Sequence, residues 1–336
     1  MTKILALIII LFYICDANAQ WQSDILGNGY QMKYIYHPDD YSGTVRSTII
    51  KKTIPQGKNN KGVLYIHGYN DYFFQEELGN QFIKHGINFY ATDLRKYGRS
   101  IIDKNTMFEV RNLCEYYADI DSAISLMKHE GITEIFIMGH STGGLIASLY
   151  VKNNPDKTFK GLILNSPFYE WNMSGFMKNF LIPIVGAIGK IFPNIEIPQS
   201  QNTAYGESLL KDFNGEWNYN QDWKLMQSPP VRTGWLLAID KAHDELISGN
   251  KIDIPILLMR SDKNVYGDSW NENFNRGDAV LNVHDISFIG KTIGHKVKEA
   301  IIVDGLHDLI LSRKNVRNAV YCCIFRWING IIPLSH

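Results

Sequence analysis

The run Gly139-His140-Ser141-Thr142-Gly143-Gly144 supplies what acyl transfer needs first, a hydroxyl with a glycine two positions away on either side. It follows the apolar Ile135-Phe136-Ile137-Met138 and precedes a stretch of helical character. In that context G-x-S-x-G denotes a sharp strand-to-helix turn, whose small flanks let strand and helix approach and push the serine hydroxyl outward. Ser141 is the candidate nucleophile, against the bland reading of a glycine-rich turn without chemistry. Upstream, Gly62-Val63-Leu64-Tyr65-Ile66 reads as a strand ending at His67-Gly68-Tyr69-Asn70-Asp71. Backbone amides just past such a strand can face a developing oxyanion, and the N–H groups of Tyr69 and Thr142 are assigned to that hole. His67 is read as a core histidine that positions the turn.

A serine hydroxyl attacks only when a base takes its proton. Of ten histidines, His307 follows the strand-like Ala300 to Val303 through Asp304-Gly305-Leu306, on a loop from which an imidazole reaches Ser141, and a helical pattern is expected from Asp308. His284 and His295 fall in a preceding helix and loop and read as surface residues. A carboxylate must hold the imidazole in the right tautomer. The strand Pro255 to Arg260 should deliver it, and Asp262, Asp268 and Asp278 all follow that strand.

Four segments carry a family resemblance: His67 to Asp71, Asp93-Leu94-Arg95-Lys96-Tyr97-Gly98-Arg99-Ser100, Gly139 to Gly144, and Gly305-Leu306-His307-Asp308. Their order and spacing resemble serine hydrolases of the α/β-hydrolase superfamily, in the group of monoacylglycerol lipases, lysophospholipases and S33-type serine aminopeptidases. The resemblance implies an acid that opens a D-x-V-hydrophobic-x-x-x-acidic pattern. Asp278-Ala279-Val280-Leu281-Asn282-Val283-His284-Asp285 fits it, and the interval from Asp278 to His307 suits it too. Asp278 is therefore the expected acid. The chain departs from the pattern by having Ser261-Asp262-Lys263-Asn264 in place of Gly-x-x-Asp, with a longer loop before Asp278, so Asp262 stays the alternative. Otherwise Asp262 is a carboxylate capping its own turn. Asp93 to Ser100 is assigned a structural role only.

These residues need a scaffold that brings them to one edge. Strand-like runs at 47–54, 63–66, 87–92, 134–138, 161–164, 256–259 and 300–303 alternate with helix-like stretches such as 111–129 and 142–153. Continuous apolar strands between helices argue for a mostly parallel, doubly wound α/β sheet covered on both faces. Ligands bind such sheets beyond the carboxyl ends of the strands. The rhythm breaks between Ser166 and Asp253, over an interval far longer than a strand-to-helix connection needs. The expected organisation is an α/β-hydrolase core at 20–168 and 255–336 with an inserted helical lid at 169–254. Within it, Gly175 to Phe192 is apolar apart from Lys178, Asn179 and Lys190. That run reads as an acyl-chain wall or a patch that touches lipid, or else as an element packed on the core.

Composition narrows the class. The 336 residues are 45% hydrophobic and 20% charged with a formal net charge of zero, ordinary for a globular enzyme and without the basic surplus that nucleic acid binding uses. Lys3, the apolar Ile4 to Cys15 and Ala17-Asn18-Ala19 read as a signal peptide at 1–19 cleaved before Gln20, which implies a secreted or periplasmic protein. Cys114, Cys322 and Cys323 would remain, an odd number; the last two lie in an apolar helical run and are expected to be buried thiols, with a bridge to Cys114 as the alternative. No Cys or His cluster has zinc-ligand spacing, and no cofactor is expected. The expected partner is a small acyl substrate, with transient lipid contact through the lid. The expected reaction is cleavage of a fatty monoester through an acyl-enzyme. An aminopeptidase would instead need a lid carboxylate for the substrate amine, drawn from Glu170, Asp222 or Asp244, and a non-catalytic binding protein is the third reading.

Overall fold

The structure, a computed structural model, describes residues 20–54 and 59–331. The expected signal peptide lies outside these residues. Eleven strands run in chain order as β1 (Gln22–Ser23), β2 (Gln31–Asp40), β3 (Gly43–Lys52), β4 (Lys61–Ile66), β5 (Asn88–Asp93), β6 (Glu134–His140), β7 (Phe159–Asn165), β8 (Glu196–Ile197), β9 (Val231–Arg232), β10 (Ile256–Ser261) and β11 (Val297–Ile302). Nine of them form one sheet in the order β1-β2-β3-β5-β4-β6-β7-β10-β11, antiparallel from β1 to β5 and parallel from there to β11.

The parallel strands β4, β5 and β10 are buried along their whole length, as expected when helices cover both faces. The α-helices are α1 (Glu76–Lys84), α2 (Tyr117–His129), α3 (Thr142–Asn153), α4 (Ile182–Gly189), α5 (Ala204–Leu209), α6 (Thr233–Ile247), α7 (Val283–Gly290) and α8 (Lys314–Ile331). One apolar layer joins Leu64, Ile66 and Ile137 to α2, α3 and α6, and the opposite layer joins Val63, Tyr65 and Met138 to α1 and α8. This is the α/β-hydrolase architecture, a mostly parallel sheet wound on both sides.

The expected strands are all present with shifted ends, and four more appear. β2 was not legible because Pro38, Asp39 and Asp40 argue against a strand; a bulge between His37 and Asp40 absorbs them near the sheet edge. The helix expected over 111–129 is a single 3₁₀ turn at Leu113–Tyr116 followed by α2, started by a capping box on Asn112 and Glu115. The helix expected from Asp308 begins only at Lys314, after a 3₁₀ turn at Leu309–Leu311 that Asp308 caps. The three cysteines are free; Cys322 is exposed and Cys323 half-buried, because α8 turns that side away from the sheet. His284 is exposed on α7 and His295 lies in the loop after it. Among the described residues no helix is long and apolar enough to cross a membrane.

Between β7 and β10 lie a π-helical turn at Met177–Leu181, α4, α5, α6 and the two-stranded β8–β9 ribbon. This excursion sits beyond the carboxyl ends of β4, β6 and β7, where the functional residues converge.

Candidate active site

Ser141 stands between the end of β6 and the start of α3 with φ +51° and ψ −121°. A non-glycine residue held there stores on the order of 1–3 kcal/mol, a cost the surrounding packing must offset. Close backbone approach imposes it. A Cβ on Gly143 would come within 2.2 Å of the His67 carbonyl oxygen, so the first turn of α3 lies directly on the end of β4. A Cβ on Gly68 would stand 3.0 Å from Ser141 Cβ, which puts the loop after β4 against the serine.

His307 Nε2 lies 3.0 Å from Ser141 Oγ, and its Nδ1 lies 2.9 Å from Asp278 Oδ2. Asp278 is completely buried, and its other oxygen accepts from the amides of Val280 and Leu281 at 2.8 Å each. The long loop explains how an acid so far downstream occupies this place. Residues 264 to 278 leave the end of β10 and return to it: Asn264 bridges Asp278, the Asp278 amide donates to Lys263 and the Val265 amide donates to Asp278. Asp262 instead accepts from the amide of Asp304, and Asp268 lies in the exposed part of the excursion.

Tyr69 and Thr142 flank the serine with backbone amides that donate to no other group among the described residues. His67 is buried and accepts the Leu94 amide on Nε2 at 3.0 Å, with Nδ1 2.8 Å from the Gly68 carbonyl. Its imidazole thus fixes the loop after β4 to the loop after β5. Asp93 accepts the Phe73 and Arg99 amides, and Arg99 binds Asp24, Asp93 and the Phe73 carbonyl. The segment from Asp93 to Ser100 is a polar underlay of the oxyanion loop.

Asn165, at the end of β7, was not singled out by sequence. Its carbonyl accepts the Ser141 amide at 3.1 Å and lies 3.1 Å from His140 Nδ1, while its side chain donates to Asp308 and accepts the Leu309 amide. One residue therefore ties the nucleophile turn to the loop that carries His307. A polar residue closing the apolar Gly161-Leu162-Ile163-Leu164 was its only signal.

A second group missed by sequence lies behind His307. Asp71, His140 and Asp308, all buried, bring one ligand atom each within 4.8 Å of one another, near enough for a single cation. The His140 ring is 4.9 Å from that of His307, and burial holds its imidazole below the usual histidine range. The cluster already has a cation, since Lys224 Nζ lies 3.0 Å from Asp71 Oδ1 with both side chains buried. Asp308 is met by Asn165, Gln75 and the Ile310 amide.

Burial raises the pKa of the Asp240 carboxyl, and its neighbours Asp244 and Glu170, two of the three carboxylates considered for an amine pocket, add to that. Asp222 is exposed and paired with Lys104, Glu170 pairs with Lys178, and Asp244 lies on α6. The walls near Ser141 are aromatic instead. Phe168 donates its amide to the Ser141 carbonyl and packs edge-on against Trp171, and Tyr69 packs on Phe108 and Trp235. Of the apolar stretch, Ile182 is buried while Phe176, Phe180, Ile184, Ile191 and Phe192 are exposed. The stretch thus packs one face on the protein and turns another to solvent.

Comparison with known proteins places these features in a lineage. The family model described as serine aminopeptidase, S33, matches residues 57–275, which include Ser141 and the loop after β4 and stop short of Asp278 and His307. A monoglyceride lipase homolog from Monkeypox virus is 24% identical over 213 residues, 62% of this chain and 72% of the viral protein. Among solved structures, a soluble variant of the Saccharomyces cerevisiae monoglyceride lipase bound to a substrate analog is similar with a TM-score of 0.64 and 15% identity, over 88% of this chain and 95% of that one. The Paleococcus ferrophilus monoacylglycerol lipase has a TM-score of 0.58 and 17% identity, over 84% and 98%. At such identities the structural likeness is one of fold.

Proposed function

The chain belongs to the serine aminopeptidase S33 family of α/β-hydrolases, and on that premise we propose that this hydrolase cleaves carboxylic esters, lipid monoesters above all, through an acyl-enzyme on Ser141. The observation that supports this reading is the unbroken hydrogen-bond line from Ser141 Oγ through His307 to Asp278, beside two unengaged amides. His307 takes the hydroxyl proton as Ser141 attacks the ester carbonyl. The Tyr69 and Thr142 amides receive the oxyanion, and such a donor is worth about 3 kcal/mol in the transition state. Asp278 keeps the proton of His307 on Nδ1, leaving Nε2 as base, and stabilises the imidazolium that forms. His307 then protonates the leaving alcohol, and water repeats the cycle on the acyl-enzyme.

An ester fits the site better than a peptide N-terminus. Asp222 and Glu170, two of the candidate carboxylates for an amine, are paired with lysines, whereas the surroundings of the serine are aromatic and apolar. The exposed phenylalanines and isoleucines of 176–192 suit contact with a lipid surface from which a monoester is drawn. An N-terminal signal peptide at 1–19, as the sequence reads, would send the protein to the cell envelope or outside the cell.

Hydrolysis of an ester series from acetyl to palmitoyl, with an aminoacyl amide alongside, tests this reading. Turnover should rise with acyl length and fall at least ten-thousand-fold in Ser141→Ala with the fold retained. Equal turnover in that variant would remove Ser141 from the mechanism, and preference for the amide would favour the peptidase.

A further inference from the structure

Each residue from Tyr69 to Tyr72, directly after the glycine that abuts the serine, is held by residues 217–230 of the excursion between β7 and β10. Tyr69 Oη donates to the Pro230 carbonyl at 3.2 Å. Asn70, at φ +50°, donates to the Leu225 carbonyl at 2.9 Å and accepts the Leu225 amide at 2.8 Å, replacing a missing strand partner with its side chain. Asp71 binds Lys224. Tyr72 Oη accepts the Asn220 amide at 2.7 Å, and its ring meets Trp223 edge-on at 5.1 Å. That stretch and the helix α5 before it grip the histidine loop, where Trp217 Nε1 donates to the Leu311 carbonyl and Tyr205 Oη accepts the Asp308 amide.

A covering element that opened with each turnover would have to break all these contacts. It would also expose a pair that exists only because it is closed. Asp71 is 1% exposed, its Oδ2 has no partner among the described residues, and Lys224 is the cation in contact with its other oxygen. A buried carboxylate without its cation is strongly unfavourable, and the cheapest relief is for the loop to turn Asp71 toward water. That movement carries Tyr69, two positions away, with it.

Resting on the serine-hydrolase reading above, we propose that residues 205–230 are a fixed brace and that Lys224 is a positioning residue, which aims the Tyr69 amide at the oxyanion by anchoring Asp71. Lys224 touches no substrate. Its effect falls on a rate constant for chemistry rather than on substrate affinity.

The test uses the whole protein with Lys224→Met, Lys224→Arg and the double variant Lys224→Met/Asp71→Asn, which removes both charges. Two measurements are made on each: the labelling rate of Ser141 by a fluorophosphonate, which needs the oxyanion hole and no knowledge of the natural substrate, and amide hydrogen exchange of residues 68–73 against 134–140. Lys224→Met should slow labelling by about tenfold or more, in the range of a misplaced oxyanion donor, with KM for a soluble ester within threefold of the parent. Exchange should accelerate at 68–73 alone. Lys224→Arg and the double variant should recover most of the rate, a rescue that loss of general stability does not produce. Folded Lys224→Met with parental labelling and parental exchange at 68–73 would overturn the brace. Should the parent protein itself resist the fluorophosphonate, the serine-hydrolase reading falls, and the exchange comparison still decides whether Lys224 holds the loop. If Lys224→Met does not fold, the double variant decides: a folded double variant with most of the parental labelling rate shows that the unpaired carboxylate caused the damage and supports the proposal, whereas one that labels tenfold or more slower than the parent counts against it.

Discussion

Residues 174–195 turn Phe176, Phe180, Ile184, Ile191 and Phe192 to solvent, whereas residues 205–230 turn Tyr205, Trp217 and Lys224 down onto the loops that carry Tyr69 to Tyr72 and His307. Both belong to one excursion from the sheet, yet their surfaces are opposite in kind. Among the described residues the first has exposed apolar area and the ion pairs of Lys178 with Glu170 and with Asp285 on α7, whereas the second has polar bonds and buried charge against the loops of Tyr69 and His307. The difference teaches that a single insertion can divide its labour, with one half free to meet substrate and the other committed to geometry. Apolar contact is non-directional and suits a mobile or lipid-facing element, while hydrogen bonds fix orientation.

If the contrast holds, chemistry depends on the braced side alone. Asp278→Asn should then cost about ten-thousand-fold in kcat on soluble and vesicle-borne esters alike, and Asp262→Asn should stay within a few-fold on both, measured in parallel. A large loss in Asp262→Asn would move the acid and break the picture of the loop at 264–278 as a detour that returns to its strand.

The next effect is one of acid sensitivity. His243 on α6 donates Nε2–H to the Phe168 carbonyl at 3.0 Å, and its Nδ1 has no partner among the described residues. Burial pushes its pKa down to about 4 against the pull of that carbonyl. Between about 4 and the unfolded value near 6.5 the unfolded chain binds a proton that the folded chain does not. Stability therefore falls as pH drops through that window, by at most about 3 kcal/mol from this group. Urea unfolding at pH 7 and pH 4.5 should show the loss, and His243→Leu should flatten it. Because Phe168 and Trp171 pack on His243, and Trp171 also on Trp235, along α6, exchange should loosen 174–195 at acid pH before 205–230; simultaneous loosening would blur the division.

A smaller effect sharpens the apolar half. Phe176→Ser/Phe180→Ser should weaken binding to zwitterionic vesicles by about tenfold, as two phenylalanines worth about 2 kcal/mol each when fully removed from water contribute about a third of that when only partly immersed at the interface, and should leave kcat on a soluble acetyl ester unchanged. A fall in that kcat would show that the exposed half reaches the chemistry after all.

Much of the catalytic edge was legible because its signals are local. Ser141 and His307 each follow an apolar strand by a few residues, and the turn chemistry announces them. The acid was not legible by locality, since Asp278 reaches β10 through a returning loop, and only the resemblance pointed to it over Asp262. Lys224 and the pairing of Asn70 with Leu225 left no signal, as their partners lie far away in sequence and their residue types are ordinary for solvated loops, and Asn165 showed only as a polar residue closing an apolar strand. β2 was hidden by Pro38 and two aspartates, whose bulge is a tertiary solution to a locally unfavourable sequence.

The left-handed backbone at Ser141 sets selection for durability against selection for turnover. Ser141→Gly relieves a conformation that a side chain resists, so the variant should melt higher than the parent, by an amount equivalent to about 1 kcal/mol, which calorimetry can read. A library of this protein sorted only for survival on heating would accordingly enrich chains that have discarded their nucleophile, and any thermostable descendant has to be found by scoring product and persistence together.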